Sequence, residues 1–273
     1  MEPERRKLIV LTLGAVILLL FFFWAFRQPS NERDWTVDSD VLSWGTVEGR
    51  TVTIYNLRDT VWRTTTEGDL VWRNETYDLD ELSSVQYMVE DLEEFPGFAH
   101  TLLTFGFTDG RYVAMSVEIR KEEGESYSPI RGMARSYELR YVIGTERDLL
   151  GLRTHRRNHT VYLYPIRANA TQREMLFLDM LSRAESLRTT PEYYNTFTST
   201  CTTNLVRHAN SVSPGRVPWD IRIILPEFSD EMAYDLGLID TDLNWSEVRP
   251  AFRIDEKAKT GGLDEGYSAR IRE

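Results

Sequence analysis

Residues 8–26, LIVLTLGAVILLLFFFWAF, hold nineteen consecutive positions without a charged side chain. A helix rises about 1.5 Å per residue, so this stretch reaches close to the roughly 30 Å of a bilayer's hydrocarbon core. It predicts a transmembrane helix. The other reading is a secretory signal peptide, whose apolar region is shorter, about 7–15 residues, and ends on small residues. Here FFFWAFRQPS is bulky where cleavage would fall, so an uncleaved anchor fits better. Arg5, Arg6 and Lys7 precede the stretch, while Arg27 and Arg33 follow it among Glu32, Asp34, Asp38 and Asp40. The positive-inside rule then favours, by a narrow margin, a cytoplasmic 1–7 and an outward-facing remainder.

The polar segment 27–45, with Pro29, reads as a linker; 46–250 reads as the folded domain, and 251–273, rich in Gly, Lys, Asp and Arg, as a mobile tail. Strands are expected at 50–57, 83–92, 99–107, 111–120, 136–144 and 160–166, where β-branched and aromatic residues alternate or cluster. The period then changes. Residues 171–187 place Met175, Leu178, Leu181 and Leu187 near one helical face, with Thr171 and Glu174 spaced as a capping box. Strands first and helices later predict an α+β fold with a central antiparallel sheet. DIRIILPEF (220–228) reads as a strand or an extended rim.

Thirty-two basic residues against forty-three acidic ones give a net charge of -11, with no basic block. A phosphate-neutralising surface is missing, which argues against nucleic acid as a partner. The single cysteine, Cys201, excludes an internal disulfide. It stands where the Thr/Ser run of YYNTFTSTCTT meets the helix-like TTNLVRHANSV. A thiol at a helix N-terminus is stabilised as thiolate, and the unpaired N–H groups there can hold an oxyanion. The bland alternative is a small side chain packed beneath the first turn.

A thiol nucleophile needs a base, and four histidines compete for that role. His155 and His159 have the spacing of a zinc pair but lie among arginines without acidic or thiol ligands, so a solvated basic loop is the better reading and no metal or cofactor is expected. His208 lies on the helix of Cys201, about 10 Å along it. That leaves His100, at the start of HTLLTFGF. If Thr108-Asp109-Gly110 is a three-residue hairpin loop, Phe107 pairs with Arg111 and, counting back along both strands, His100 faces Glu118. A two-residue Asp-Gly loop shifts the register by one and sends Glu118 to the other face.

The segments GDLVWRNETYDLDEL, AHTLLTFGF, SVEIRKEEGESYSPIRG, SYELRYVIGTERDLLGLRTHRRNHTVYLYP and YYNTFTSTCTT resemble, in order and spacing, the bacterial domain family typified by the N-terminal periplasmic domain of the lipoprotein N-acyltransferase Lnb. The resemblance runs from about residue 60 to 210. It implies a circularly permuted papain-like domain of the NlpC type, in which the His strand precedes the Cys helix. It also implies Cys201 as nucleophile, His100 as general base, Glu118 as the polar third residue and a thioester acyl-enzyme. Members of the family that the chain resembles typically have Asn just before the cysteine, where this chain has Thr200. Lnb also carries several further membrane spans, where one is expected here.

Arg135, Arg147 and Arg153, near Glu146 and Asp148, can bind an anionic headgroup or carboxylate, although such clusters are more often ion-pair networks. The resulting expectation is a single-pass protein of the bacterial inner membrane whose C-terminal domain faces the periplasm or cell exterior. It is a Cys-His acyltransferase or acyl hydrolase whose partners are the lipid bilayer and a lipid, lipoprotein or cell-wall substrate. A cysteine amidase or peptidase, and a non-catalytic scaffold, are the alternatives.

Overall fold

Buried alternation on two faces builds one large sheet. The computed structural model describes residues 3–92 and 96–273, and of the side chains up to residue 26 those of 5–7, 9, 11–16, 18, 19, 22 and 26. In chain order it contains α1 (Pro3–Phe26), α2 (Val37–Asp40), β1 (Trp44–Glu48), β2 (Thr51–Arg58), the short ribbon β3 (Val61–Trp62) and β4 (Gly68–Asp69), β5 (Trp72–Asp78), β6 (Leu82–Asp91), β7 (Ala99–Phe107) and β8 (Tyr112–Arg120). There follow α3 (Pro129–Met133), β9 (Glu138–Gly144), α4 (Glu146–Gly151) running into a π-helical turn at Leu152–Arg157, and β10 (Val161–Pro165). The C-terminal part adds α5 (Ala170–Thr189), α6 (Cys201–Val212), α7 (Ser229–Asp235), α8 (Trp245–Phe252), α9 (Asp255–Ala258) and α10 (Tyr267–Arg270).

The sheet order is β1-β2-β9-β8-β7-β6-β10, with β5 also paired to β2. Every pairing is antiparallel except β2 with β9, which meet at Arg58 and Gly144. Both faces are covered, which is why β7 is buried at every position but His100. One face packs Leu103, Phe105 and Phe107 against Phe177, Leu181 and Leu205 of α5 and α6. The edge-on contact of Phe105 with Phe177 at 5.1 Å adds about 0.5–1.5 kcal/mol beyond area burial. The other face packs Met88, Leu102, Ala114 and Val142 under Leu149, Leu150, Ile254 and Tyr267.

The β7–β8 hairpin takes the three-residue loop. The Phe107 N–H donates to the Arg111 carbonyl at 3.0 Å, and Gly110 adopts φ 85°. Leu102 therefore pairs with Ser116 and Phe105 with Val113. Pairing stops at Leu102–Ser116, although β7 begins at Ala99 and β8 runs on to Arg120. Beyond that point β7 stays with β6, His100 opposite Glu90, and β8 stays with β9, Glu118 opposite Arg140. The sheet is thus open between its two central strands at this end.

Several expectations change. Residues 3–26 form a helix, but among the described residues no helix is long and apolar enough to cross a membrane. The segment 27–45, expected as a linker, is docked: Asn31 donates to the carbonyls of Leu187 and Arg188, and Trp35 is buried with its indole N–H on Asn31 O. The tail 251–273 is packed, because Ile254, Ala258, Tyr267 and Ile271 supply enough apolar side chains to cover the second face of the sheet. Residues 220–228 form two 3-10 turns, the first capped by Asp220, rather than a strand. Helix α5 starts one residue early, with the capping box on Asn169 and Gln172 instead of Thr171 and Glu174. Its buried stripe is Leu176, Phe177, Met180, Leu181, Ala184 and Leu187, which leaves Met175 exposed. The charged strand β5 was not anticipated, since as the outer partner of β2 it buries little more than Tyr77.

Candidate active site

Thr200 ends the preceding turn in extended conformation, and its hydroxyl accepts from the Thr203 N–H while Thr203 Oγ1 accepts from the Thr200 N–H. This reciprocal cap sets Cys201 as the first residue of α6. The N–H groups of Cys201 and Thr202 fall in the turn where helix geometry supplies no carbonyl, so they are placed to receive an oxyanion. Thr200 thus uses its side chain on the helix end.

Cys201 approaches from the α6 face, and His100 lies on the opposite face of the sheet by strand alternation. They meet where β7 and β8 separate. Burial pushes the thiol up, but the charge and hydrogen bond of His100, with hydrogen bonds from the Thr101 hydroxyl and backbone N–H, bring it down to about 6 from its ordinary 9.0. Thr101 is itself tied to Thr202 at 3.0 Å, which fastens the strand to the first turn of the helix.

The far side of the imidazole is equally determined. His100 Nε2 lies 2.7 Å from Ser116 Oγ, and that hydroxyl donates to Glu118 Oε1 at 2.9 Å. A hydroxyl whose proton goes to the carboxylate accepts from the ring, so Nε2 carries the proton and Nδ1 is left as the basic nitrogen. Glu118 itself stands 3.8 Å from Nε2. Burial alone would raise its carboxyl, yet Arg153, then His100 and Arg140, hold it well below the ordinary carboxylate value.

Arg153 comes from the π-helical turn. Its Nε donates to Glu90 Oε2 at 2.7 Å and its Nη2 to Glu118 Oε1 at 3.1 Å. Glu90 is fully buried and also receives Arg157 and His159 at 3.3 and 2.8 Å. One row across the open end of the sheet therefore reads Glu90, His100, Glu118, Arg140.

The structure places Glu118 3.8 Å from the His100 ring and the same imidazole against the Cys201 thiol. Arg153 joins them as a buried partner of carboxylates, already committed to protein groups. Arg147 is paired with Asp59, next to the buried Arg58–Asp148 pair, and Arg135 lies in the turn before β9 at φ 54°. His208 is held between Asp179 and Tyr141, 2.6 Å from each, beside a cavity of about 310 Å³ lined by Arg183, Asn204 and Arg207 among others. Burial lowers its pKa despite Asp179. His155 bonds Thr154 and the Gly261 carbonyl. Among the described residues no group of His, Cys, Asp and Glu is arranged to hold a metal.

Sequence reasoning missed Ser116 and Glu90. Ser116 sits two residues before Glu118 on the same strand face, so the register that found the carboxylate also contained the hydroxyl. Glu90 became visible only through the pairing of β6 with β7.

The sequence profile of the Lnb N-terminal periplasmic domain matches residues 69–227, more than half of the chain, a span that includes Glu90, His100, Ser116, Glu118, Arg153 and Cys201. The chain belongs to the Lnb N-terminal periplasmic domain family. Membership of this family of periplasmic domains implies an extracytoplasmic location and the setting of an acyltransferase. No curated protein and no solved structure matches the chain.

Proposed function

We propose that this member of the Lnb N-terminal domain family is a membrane-anchored Cys-His enzyme that moves an acyl group from a lipid or lipoprotein ester through a thioester on Cys201. The observation that carries this reading is the meeting of the Cys201 sulfur and the His100 imidazole in the gap between β7 and β8, with the thiol held at about 6. The order of a His strand before a Cys helix supports the permuted papain-like arrangement that the sequence resembles. The apolar residues 8–26, within α1, support an anchor.

In the first half-reaction the Cys201 proton passes to His100 Nδ1 and the thiolate attacks the ester carbonyl carbon. The carbonyl π-electrons move to oxygen, where the N–H groups of Cys201 and Thr202 receive the negative charge. Collapse breaks the carbon–oxygen bond, and the leaving alcohol takes the proton from His100. In the second half-reaction an amine, or water, gives a proton to Nδ1 as it attacks the thioester, and collapse returns the thiolate. Ser116 and Glu118 keep the imidazole in the tautomer that both halves need.

The test is intact-mass measurement of the full chain after incubation with phospholipid vesicles. A single acyl adduct on Cys201, released by neutral hydroxylamine and absent from Cys201→Ser and His100→Ala, is the expected result. A protein that stays unmodified, with a thiol whose reactivity ignores His100→Ala, overturns the reading.

A further inference from the structure

The loop from Lys121 to Tyr137 leaves β8, forms the single turn α3, and returns into β9 beside the nucleophile. It turns apolar side chains outward: Ile130 is 73% exposed, Met133 37% and Tyr127 36%. Phe197, at the tip of the loop four residues before Cys201, is 50% exposed. These two loops are one unit. Thr196 Oγ1 donates to the Pro129 carbonyl at 2.7 Å, and Gly132 lies so close to Thr196 and Tyr194 that a Cβ would have no room. The Tyr194 N–H donates to the Tyr137 carbonyl at 2.9 Å, and the Tyr127 ring stands edge-on to Tyr194. Exposed side chains of this size, gathered on one rim, mark a contact surface.

What covers that rim is indicated by how the loop is held. Its two feet are Glu122 and Glu138, and both are gripped by the segment that emerges from α1. Arg33 reaches Glu122 at 3.4 Å and Glu138 at 2.8 Å, Arg27 reaches Glu122 at 3.5 Å, and the Ser30 N–H donates to Glu138 at 3.2 Å. Arg33 follows the end of α1 at Phe26 by seven residues, a span of at most about 25 Å even when fully extended. Whatever surface α1 enters is therefore next to this loop. A second protein would need no such clamp, whereas a bilayer holding α1 meets the rim with every copy.

We propose that Ile130 and Met133, with Phe197 beside them, dip into the outer face of the membrane that anchors α1 and so hold the Cys201 gap against the lipid headgroups. The partner is the lipid bilayer. Side chains of this kind settle about 5–10 Å into the headgroup and acyl boundary. A lipid ester lies at that depth, which brings the scissile carbonyl to the sulfur without lifting the lipid into water. The inference rests on the anchored reading of α1 and is independent of whether Cys201 turns over.

The single cysteine makes the test direct. In full-length Cys201→Ser, a fluorophore is placed by Ile130→Cys, by Phe197→Cys, or by Asp109→Cys in the β7–β8 turn at the far end of the sheet. Each protein is reconstituted into vesicles of phosphatidylethanolamine and phosphatidylglycerol, after confirmation that its melting matches the parent. Quenching by shallow lipid-borne nitroxide at 130 and 197, with aqueous quenching alone at 109, is the expected result. Aqueous quenching at all three sites in vesicle-bound protein overturns the proposal and leaves the anchor standing. Protection of 130 and 197 from both quenchers also overturns it, in favour of a covering protein. Failure of the protein to float with the vesicles overturns the anchor itself.

Discussion

Arg153 donates to Glu90 at 2.7 Å and to Glu118 at 3.1 Å, so one guanidinium joins the two carboxylates that flank His100 across the sheet. The ring itself is held from β8, by Ser116 at 2.7 Å and Glu118 at 3.8 Å.

Thiol reactivity reports this arrangement most directly. Alkylation of Cys201 is expected to rise with pH around a midpoint near 6, because the thiolate is the reactive form. In His100→Ala the midpoint moves up toward the ordinary thiol range, since burial is then opposed only by the Thr101 hydrogen bonds. Iodoacetamide rates followed by intact mass between pH 4 and 10 check both.

Removing the base costs more than removing its orienting groups. His100→Ala is expected to lower turnover by about 100- to 10,000-fold. Glu118→Gln and Ser116→Ala remove one charge-assisted link each, a loss of about 1.5–3 kcal/mol that corresponds to roughly 10- to 150-fold in kcat. Steady-state kinetics with a soluble thioester give the comparison, and a Ser116→Ala enzyme with unchanged kcat would remove the hydroxyl from the relay.

Glu90 and Glu118 make stability dependent on acid. Burial would raise both, but Arg153 holds both below the ordinary value of 4.5. A carboxylate depressed in the folded state stabilises fully above its unfolded pKa, and that contribution is lost as pH falls toward the folded one. The parent protein is thus expected to lose stability progressively below about pH 4.5. Arg153→Met removes the buried partner that two carboxylates share, leaving Glu90 to Arg157 and His159 and Glu118 to Ser116 and Arg140, and should cost up to about 3–5 kcal/mol at pH 7, with a flatter loss on acidification. Urea unfolding at pH 7 and pH 3 measures both effects, and Arg153→Lys, which cannot bridge two carboxylates, is expected to rescue little.

Asp148 offers a contrast away from the sulfur. Its carboxylate accepts from Arg58 Nε and Nη2, the Thr60 N–H and Trp62 Nε1 at 2.7–3.0 Å. Asp148→Ala is expected to destabilise by about 3–5 kcal/mol. Turnover per folded molecule should stay within about threefold, given the twofold to threefold context dependence of such effects. Active-site titration alongside thermal melting separates the two.

How far the sequence foretold this site depends on the range of the signal. The helix start at Cys201 was legible because capping is local, and the approach of Glu118 to His100 because a three-residue loop ending in Gly110 fixes the register of β7 against β8, although the ladder itself ends at Leu102–Ser116. Glu90, and the meeting of Arg153 with it, were out of reach, since that contact depends on β6 lying beside β7 and on a π-helical turn folding over both. The 27–45 and 251–273 segments misled for another reason. Their composition is polar, and a few apolar side chains, Trp35 and Tyr267 above all, decide whether such a chain stays in solvent.

The clamp of Arg33 on Glu122 and Glu138 governs more than orientation. With α1 in a bilayer, a domain fastened at its root has almost no swing, and the patch it surveys is about as wide as itself. Such a protein meets its reactants by their lateral drift, so its rate would follow the number of molecules per unit of surface and be indifferent to the volume beyond.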